Sequence, residues 1–401
     1  MDFKQIKKQS LIIIFNRGLI AFFSLLLEII SIQYLSVDLK GEFFYIKANI
    51  ELFAYMFTFG MGISIIHFRT KYGNMYDRQI LKWILISFTI LISFAIIFYN
   101  IEFITKYLFI DKKYFILASI GSFFTLLSFY LQKIFLSDNN LKLHNQVIFY
   151  TKVIVTLALI FIMILIDNIK LYHLLIVVPI GLFIVTSYFS FKLKLNYKSH
   201  LVNNKFFKFN IGIFFYEIIY QLKTKFDNFL VLYFFGITSV GLFSVAVSFG
   251  ALVLIVSSSI SLILLKELSA VKDKITQTNF MSLFKKYLIV IFAITILSII
   301  FVYIIVHLYG DGKFIDSFYI YIVYSISLIL FSIVTFFKSY FSSIKKTNIQ
   351  LYSSLISTTP YLSLFILDVK NINVLLSIII TSNLLQCIYL TIKKNQYFKE
   401  L

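Results

Sequence analysis

Six polar or ionisable residues lie within twelve positions of an otherwise apolar stretch, residues 206–253. They are Glu217, Gln221, Lys223, Lys225, Asp227 and Asn228. An ionisable group at the depth of a bilayer costs about 2.5–3.5 kcal/mol on insertion scales, so such groups face protein or a water-filled cavity. Ammonium and amide groups can bind an anion, and buried carboxylates can carry a proton or a cation. The stretch therefore predicts a polar site inside a membrane.

Charged residues also occur within other predicted helices. A rotation of about 100° per residue places Arg17 and Glu28 on one face of the first helix, and Lys47 and Glu51 on one face of the second. The fifth helix adds Lys152. Two interpretations stay open, because long basic side chains near a helix end also extend to the membrane surface.

The carboxylates Glu28 and Glu217 lie near the middle of their predicted helices, and a short side chain cannot extend far. We expect them to face a cavity, and the alternative is a structural ion pair with a neighbouring lysine or arginine.

The composition is that of an integral membrane protein. Hydrophobic residues make up 60% of the 401 residues, charged residues only 14%, and the mean hydropathy is +0.91. A soluble domain carries about 25% charged residues. The apolar segments run unbroken for about 20 residues, the length that a membrane-spanning helix needs. The sequence therefore predicts an all-α membrane protein.

Twelve transmembrane helices fit the apolar pattern. They cover 10–35, 42–67, 80–100, 114–136, 146–166, 171–191, 207–234, 240–265, 286–308, 315–340, 349–367 and 372–392. The seven segments on one side carry a net charge of +19, and the loops on the other side carry −1. Positive charge marks the cytoplasmic side, so both termini are predicted to be cytoplasmic. The N-terminal apolar run is longer than a signal peptide and is interpreted as a retained first helix.

The chain is predicted to consist of two halves. A lysine-rich segment, 192–206, separates an N-terminal six-helix bundle, 1–191, from a C-terminal one, 207–401. Six helices return the chain to its starting side, so the bundles have parallel orientation. A shift of 200 residues places Gly41-Glu42-Phe43 on Gly241-Leu242-Phe243, which indicates an internal repeat. We expect a central cavity between the bundles.

Several kinds of chemistry have no signature in the sequence. There is no Walker loop and no glycine-rich dinucleotide motif. The five histidines are scattered without metal-ligand spacing, and Cys387 is the single cysteine. The basic charge lies in short loops, as expected for membrane orientation and not for nucleic-acid binding. The sequence predicts no cofactor, no metal site and no enzyme activity.

Two regions resemble polysaccharide-exporting flippases of the MOP (multidrug/oligosaccharidyl-lipid/polysaccharide) superfamily. The first contains Arg17, the turn from Tyr34 to Phe43 and the GMGIS element at 60–64, followed by a basic helix end. In the second, Asp227 precedes an apolar run, Gly236 and the VGLFSVA segment at 240–246. One departure is the absence of a proline from LILLKELSA at 262–270, where such families often carry one.

The closest likeness within that superfamily is to O-antigen or capsular repeat-unit flippases (Wzx type). The resemblance implies a MATE-like arrangement and translocation of an undecaprenyl-pyrophosphate-linked oligosaccharide to the outer leaflet by alternating access. Residues assigned to the pyrophosphate and its surroundings are Arg17, Lys47, Lys152, Gln221, Lys223, Lys225 and Asn228. Those assigned to proton or sodium coupling are Glu28, Glu51, Glu217 and Asp227.

The resemblance also implies a bacterial cytoplasmic membrane and pathway partners, namely a polymerase and a chain-length regulator. Membrane lipid is a further expected partner. Two alternatives remain: a drug-exporting MATE-like or other secondary transporter, and a polysaccharide polymerase. A slight basic excess among the interior charges favours an anionic substrate over a cationic drug. Short predicted outer loops disfavour the polymerase.

Overall fold

The computed structural model describes residues 3–100, 111–138, 140–195, 205–270, 277–344, 346–365 and 369–399. Within these ranges the chain is helical and contains no β-strand. The predicted all-α class is confirmed.

Twelve α-helices follow one another in these ranges. The first six are α1 (Phe3–Tyr34), α2 (Val37–Met56), α3 (Met61–Tyr72), α4 (Asp77–Asn100), α5 (Lys112–Ser137) and α6 (Leu141–Leu165). The others are α7 (Leu171–Ser190), α8 (Lys205–Ala270), α9 (Gln277–Leu308), α10 (Asp316–Ser343), α11 (Thr347–Ile356) and α12 (Ile372–Lys399). Short 3₁₀ segments cover Gly73–Tyr76 and Thr359–Phe365.

Among the described residues, nine helices are long and apolar enough to cross a membrane, or ten if α2 and α3 form one bent span. Large apolar side chains on these helices remain exposed, for example Phe161 (63%), Ile164 (52%) and Leu165 (61%) on α6. Such a surface is stable against hydrocarbon and unstable against water. The chain is a multi-pass membrane protein.

Helix boundaries differ from the sequence prediction in two places. The predicted helices 207–234 and 240–265 both lie in α8, whose backbone breaks at Gly236 (φ 76°, ψ −177°), a conformation open mainly to glycine. The predicted helix 349–367 ends early as α11, and a 3₁₀ segment containing Pro360 follows. The number of twelve spans stays a prediction.

A third difference is a bend of 46° between α2 and α3, where a single helix over 42–67 was predicted. Phe59 (φ 48°) and Gly60 (φ 70°) adopt left-handed backbone conformations there. Broken helices at membrane depth need partners for the freed carbonyl groups. The hydroxyl of Tyr130 on α5 lies 3.5 Å from the carbonyl oxygens of both Phe57 and Thr58.

The chain divides into two compact units, and each unit consists of two separate segments of the sequence. Unit 1 comprises Met1–Phe23 and Glu42–Phe226, and unit 2 comprises Ser24–Gly41 and Asp227–Leu401. The last third of α1 and the start of α2 therefore belong to unit 2. Part of the predicted linker 192–206, residues 196–204, lies outside the described residues. The predicted division into bundles 1–191 and 207–401 stays a prediction.

The core of unit 1 lies among α5, α6 and α7. Leu131, Phe135, Val147, Val185 and Phe189 form a buried cluster there, and none is more than 3% exposed. Burying such a side chain stabilises the fold by about 1.5–3 kcal/mol relative to water. In a membrane, close packing and hydrogen bonds between helices matter more.

Small residues allow the helices of unit 1 to approach one another. A side chain at Gly181 of α7 would lie 2.9 Å from Val155 of α6. The Ser122 hydroxyl of α5 donates to the Ile50 carbonyl of α2 at 3.1 Å. The Tyr130 hydroxyl donates to Ser87 of α4 at 2.8 Å.

Arg69 joins several helix ends of unit 1. Its guanidinium, 1% exposed, lies 2.7 Å from Asp77 and 2.9 Å from Asp138, and it donates to the Lys194 carbonyl oxygen at 3.2 Å. Desolvation raises the pKa of the Asp138 carboxyl, and the neighbouring Arg69 opposes that shift. A buried arginine with two carboxylates and carbonyl acceptors is a structural node for α3, α4 and the ends of α5 and α7.

Unit 2 is held together by hydroxyl and amide hydrogen bonds between its helices. Ser257 of α8 and Tyr287 of α9 lie 2.6 Å apart, and Tyr287 also donates to the Ser332 carbonyl at 2.8 Å. The Asn383 amide of α12 donates to Ser327 of α10 at 2.8 Å. Serine side chains in this unit therefore serve helix packing.

The starts of α2 and of the second part of α8 cross at residues that the 200-residue repeat makes equivalent. A side chain at Gly41 would collide with the Ile237 carbonyl oxygen, and one at Gly241 would collide with that of Val37. Beside them the Thr238 hydroxyl donates to Asp38 at 2.6 Å, again 200 residues apart. Equivalent positions of the two repeats therefore contact each other, and all of them belong to unit 2.

Candidate functional site

Glu51 on α2 is the centre of a group of charged side chains in unit 1. Lys225 Nζ on α8 lies 2.6 Å from Glu51 Oε2, and Lys152 Nζ on α6 lies 3.6 Å from Glu51 Oε1. Lys47, one turn earlier on α2, shares a helix face with Glu51. We call these four residues the Glu51 cluster. The structure brings together four residues that the sequence assigned to substrate binding or coupling.

The Glu51 cluster borders a cavity of about 150 Å³ among α2, α5, α6 and α7. Lys47, Glu51 and Lys152 line it, together with short polar side chains of α5 and α6. These polar residues are Thr125, Ser128, Gln132, Thr151 and Thr156, and the aromatic rings of Tyr55 and Phe129 complete the wall. Hydroxyl and amide groups beside ammonium groups make a surface suited to phosphate or sugar hydroxyls.

Three ammonium groups accompany one carboxylate in the Glu51 cluster, so its net charge is +2 when all four groups are ionised. Excess charge within a membrane protein requires water or a counter-ion. Exposure differs among the members: 58% for the Lys152 side chain, 26% for Glu51 and 22% for Lys225. The Lys152 side chain is the more exposed of the two lysine side chains that pair with Glu51.

Arg17 lies elsewhere in unit 1. It is half-buried on α1 and within electrostatic range of His144 on α6. The ring of His144 lies 2.9 Å from the carbonyl oxygen of Gln132, a residue that lines the cavity of the Glu51 cluster. Arg17 therefore does not line that cavity. His144 and Gln132 lie between Arg17 and the cavity.

Glu28 belongs to a separate pair in unit 2. Lys40 Nζ lies 2.5 Å from Glu28 Oε1 and 2.5 Å from the Ser31 hydroxyl, with the ring of Phe314 5.6 Å away. Both charged residues are buried, Glu28 to 8% and Lys40 to 4% exposure. The structure therefore gives Glu28 a lysine partner, which was the alternative to a cavity-facing role.

Asp227 and Asn228 begin the part of α8 that belongs to unit 2. The Tyr361 hydroxyl donates to Asp227 Oδ1 at 2.7 Å, and Asn228 is 5% exposed. The chain passes from unit 1 to unit 2 between Phe226 and Asp227, so Lys225 and Asp227 contribute to different units although they are two positions apart. The side chains of Glu217, Gln221 and Lys223 lie outside those that the structure describes.

Sequence reasoning missed two partners that complete these pairs, Lys40 and Tyr361. Lys40 follows the first helix in a stretch that reads as a loop, yet it folds back as part of α2 to reach Glu28, 12 positions earlier. The signal available was the short connection at 35–36, which forces the two helix ends together. Tyr361 had no distinguishing pattern among 27 tyrosines.

Among the described residues, no group of three or more His, Cys, Asp or Glu side chains is placed to hold a metal ion. The chemistry that the Glu51 cluster can perform is binding of an anion by its lysine ammonium groups, two of which form ion pairs with Glu51. The fold and this cavity define a polytopic helical membrane protein with a cationic internal site.

The sequence matches no protein-family model and no curated protein. Solved structures with a similar fold include a lipid II flippase and a multidrug resistance transporter of the MOP superfamily. The lipid II flippase MurJ, in an inward closed conformation, has a TM-score of 0.75 at 15% identity, covering 96% of this chain and 87% of MurJ. The helical fold of this chain is therefore similar to that of MurJ.

Two structures of a multidrug resistance MATE family transporter are also similar. The inward-facing one has a TM-score of 0.69 at 11% identity, covering 94% of this chain and 96% of the transporter. The outward-facing one has a TM-score of 0.68 at 12% identity, with coverages of 98% and 96%. The predicted MATE-like architecture is confirmed at the level of the fold.

Proposed function

We propose that this protein is a flippase that moves a polyprenyl-pyrophosphate-linked oligosaccharide across the membrane by alternating access. The observation that carries the proposal is the net charge of +2 around Glu51, beside a cavity with polar walls. A pyrophosphate group supplies the negative charge that such a site lacks, and ammonium groups bind phosphate oxygens strongly. The similarity of the fold to a lipid II flippase supports a lipid-linked substrate.

Within this proposal, Lys152 and Lys47 contact the pyrophosphate and Lys225 exchanges between Glu51 and the substrate. Arg17 attracts the substrate from the neighbouring face of α1. Gln221, Lys223 and Asn228 are the further residues that we assign to substrate binding. The substrate sugars are those of an O-antigen or capsular repeat unit, as the sequence resemblance implies.

The coupling ion acts through carboxylates. Glu51 is the first candidate, because it pairs with two lysines that the substrate would also bind. The other candidates are Glu217, Glu28 and Asp227, and Asp227 accepts a hydrogen bond from Tyr361. Among these, Glu28 has the weakest support, because its buried carboxylate already pairs with Lys40.

The proposed setting is the bacterial cytoplasmic membrane, with both termini in the cytoplasm. The loop charges support this orientation. A polymerase and a chain-length regulator of the same pathway would use the translocated unit.

Two measurements test the proposal. In the parent bacterium, a deletion should accumulate the lipid-linked repeat unit in the inner leaflet and lose surface polysaccharide. In proteoliposomes containing a fluorescent polyprenyl-pyrophosphate oligosaccharide, K152Q/K225Q should reduce translocation at least tenfold. The matched control is K142Q, which removes an exposed lysine from the same helix as Lys152.

Full translocation by K152Q/K225Q would remove the assigned substrate site. A deletion strain that keeps its polysaccharide but becomes sensitive to cationic drugs would favour the MATE-like alternative.

A further inference from the structure

A second pocket, in unit 2, has the composition of an anion site at the membrane surface. It has a volume of about 310 Å³ and lies where the start of α11 meets the end of α12. Its lining includes Lys346, Tyr352, Tyr389, Lys393, Gln396 and Tyr397. Within the part of the chain that the structure describes, no Asp or Glu lines this pocket. We call it the α11–α12 pocket.

Helix geometry brings these side chains to one place. Tyr389, Lys393 and Tyr397 are four positions apart, so they form a single stripe over the last two turns of α12. Tyr352 projects from α11, and Lys346 immediately precedes that helix. The Lys346 ammonium lies 4.6 Å from the centre of the Tyr397 ring, and Lys393 Nζ donates to Gln396 at 3.0 Å.

The pocket is at the level of lipid headgroups. Tyr389 to Tyr397 occupy the end of a candidate membrane span, Ile372–Phe398. Tyrosine is enriched at this depth because its ring is apolar and its hydroxyl is polar. The Tyr352 side chain is 55% exposed, so a lipid can reach the pocket from the side. The loop charges predict that this end of α12 is on the cytoplasmic side.

We infer that the α11–α12 pocket binds the phosphate headgroup of an anionic phospholipid of the cytoplasmic leaflet. The two lysines neutralise the phosphate, the tyrosine hydroxyls and the Gln396 amide donate further hydrogen bonds, and the acyl chains stay in the bilayer. Basic pockets between transmembrane helices on the cytoplasmic side bind such headgroups. This site is separate from the Glu51 cluster, which belongs to unit 1.

The test is native mass spectrometry of the full chain in detergent, titrated with phosphatidylglycerol or with phosphatidylcholine. The wild type should retain phosphatidylglycerol in preference to phosphatidylcholine. K346Q/K393Q should weaken phosphatidylglycerol binding about 30-fold, since each lysine near the surface contributes about 1 kcal/mol. The control K82Q/K142Q removes the same charge from exposed positions of unit 1 and should leave retention unchanged.

Equal retention by K346Q/K393Q and the wild type would overturn the inference. Inorganic pyrophosphate provides a second arm, because displacement of phosphatidylglycerol by an equal concentration of it would assign the pocket to a soluble phosphate instead. A photoreactive phosphatidylglycerol tests the wild type directly and needs no folded variant. It should label peptides containing Tyr352 or Tyr389, and labelling elsewhere only would also overturn the inference.

Discussion

Each unit contains a glutamate paired with lysine, and the two pairs differ in charge and exposure. Glu28 in unit 2 pairs with one lysine, which also contacts one hydroxyl and one aromatic ring, and the charge of the pair is balanced. Glu51 in unit 1 has three lysines, an adjoining cavity and side chains that are 22–58% exposed for the pairing residues. The balanced pair stabilises the fold, and the unbalanced one is suited to bind a ligand.

Desolvation predicts that the two pairs will respond differently to mutation. A buried ion pair contributes little net stability, but removal of one partner leaves an uncompensated charge. Where side chains are partly exposed, water replaces a lost partner. We therefore expect substitutions of Glu28 and Lys40 to lower the stability of the fold. Substitutions in the Glu51 cluster should change substrate binding instead.

The largest expected effect is that of K40A. It leaves Glu28 charged and buried, which should destabilise unit 2 by about 3–5 kcal/mol. The measurement is thermal unfolding followed by a thiol-reactive dye, because the single cysteine, Cys387, is buried in unit 2. The double variant E28L/K40M, which removes both charges, should recover most of the loss. A K40A protein that unfolds like the wild type would contradict the structural role of the pair.

A substitution at Gly241 tests whether the fold around Lys40 requires the backbones of α2 and α8 to approach closely. G241A places a methyl group against the Val37 carbonyl oxygen and should cost about 2 kcal/mol by overpacking. G250A is the matched control, since its methyl group meets only the flexible side chains of Leu328 and Tyr324. The same dye assay at Cys387 applies. If both variants unfold together, backbone approach at Gly241 is not limiting.

A smaller effect is expected from Y361F. It removes the hydrogen bond to Asp227, and a bond to a charged group is worth about 1.5 kcal/mol at the low end of its range. The aromatic ring remains, so packing is kept. Unfolding at Cys387 gives the stability, and the proteoliposome assay shows whether Asp227 also takes part in coupling. Unchanged stability would mean that water replaces the tyrosine.

E51Q should have the smallest effect on folding of these variants. Unlike removal of a lysine, it should strengthen the binding of an anion. Loss of the carboxylate raises the net charge of the cluster from +2 to +3. Pyrophosphate should then bind about fivefold tighter, which corresponds to about 1 kcal/mol. Stability of unit 1 can be followed in C387S/A118C, because Ala118 is fully buried there. Weaker pyrophosphate binding by E51Q would place the anion elsewhere.

The sequence predicted the class of fold because apolar helices must satisfy their own backbone in lipid. It also selected the helices that carry the cluster, since Lys47, Glu51, Lys152 and Lys225 are costly at membrane depth. Their association was not predictable in detail. Lys225 pairs with Glu51 across 174 residues, and periodicity gives the face of a helix but not its neighbour.

The sequence predicted only some of the positions at which helices break. Gly236 fell in a predicted interruption, and it supplies the backbone conformation found there. The bend at Phe59 was not predicted, because phenylalanine rarely adopts a positive φ and the strain is fixed by tertiary packing. The assignment of 24–41 to unit 2 also depends on tertiary pairs, such as that of Asp38 with Thr238.

The crossing at Gly41 and Gly241 bears on the origin of the chain. Each glycine lies against a carbonyl oxygen of the other repeat, at positions offset by 200 residues, and Asp38 and Thr238 keep the same offset. A surface that contacts its own counterpart in this reciprocal manner is what an isologous dimer presents. A half-length ancestor would thus have paired with a second copy of itself through this helix start, and gene fusion would have made the association permanent.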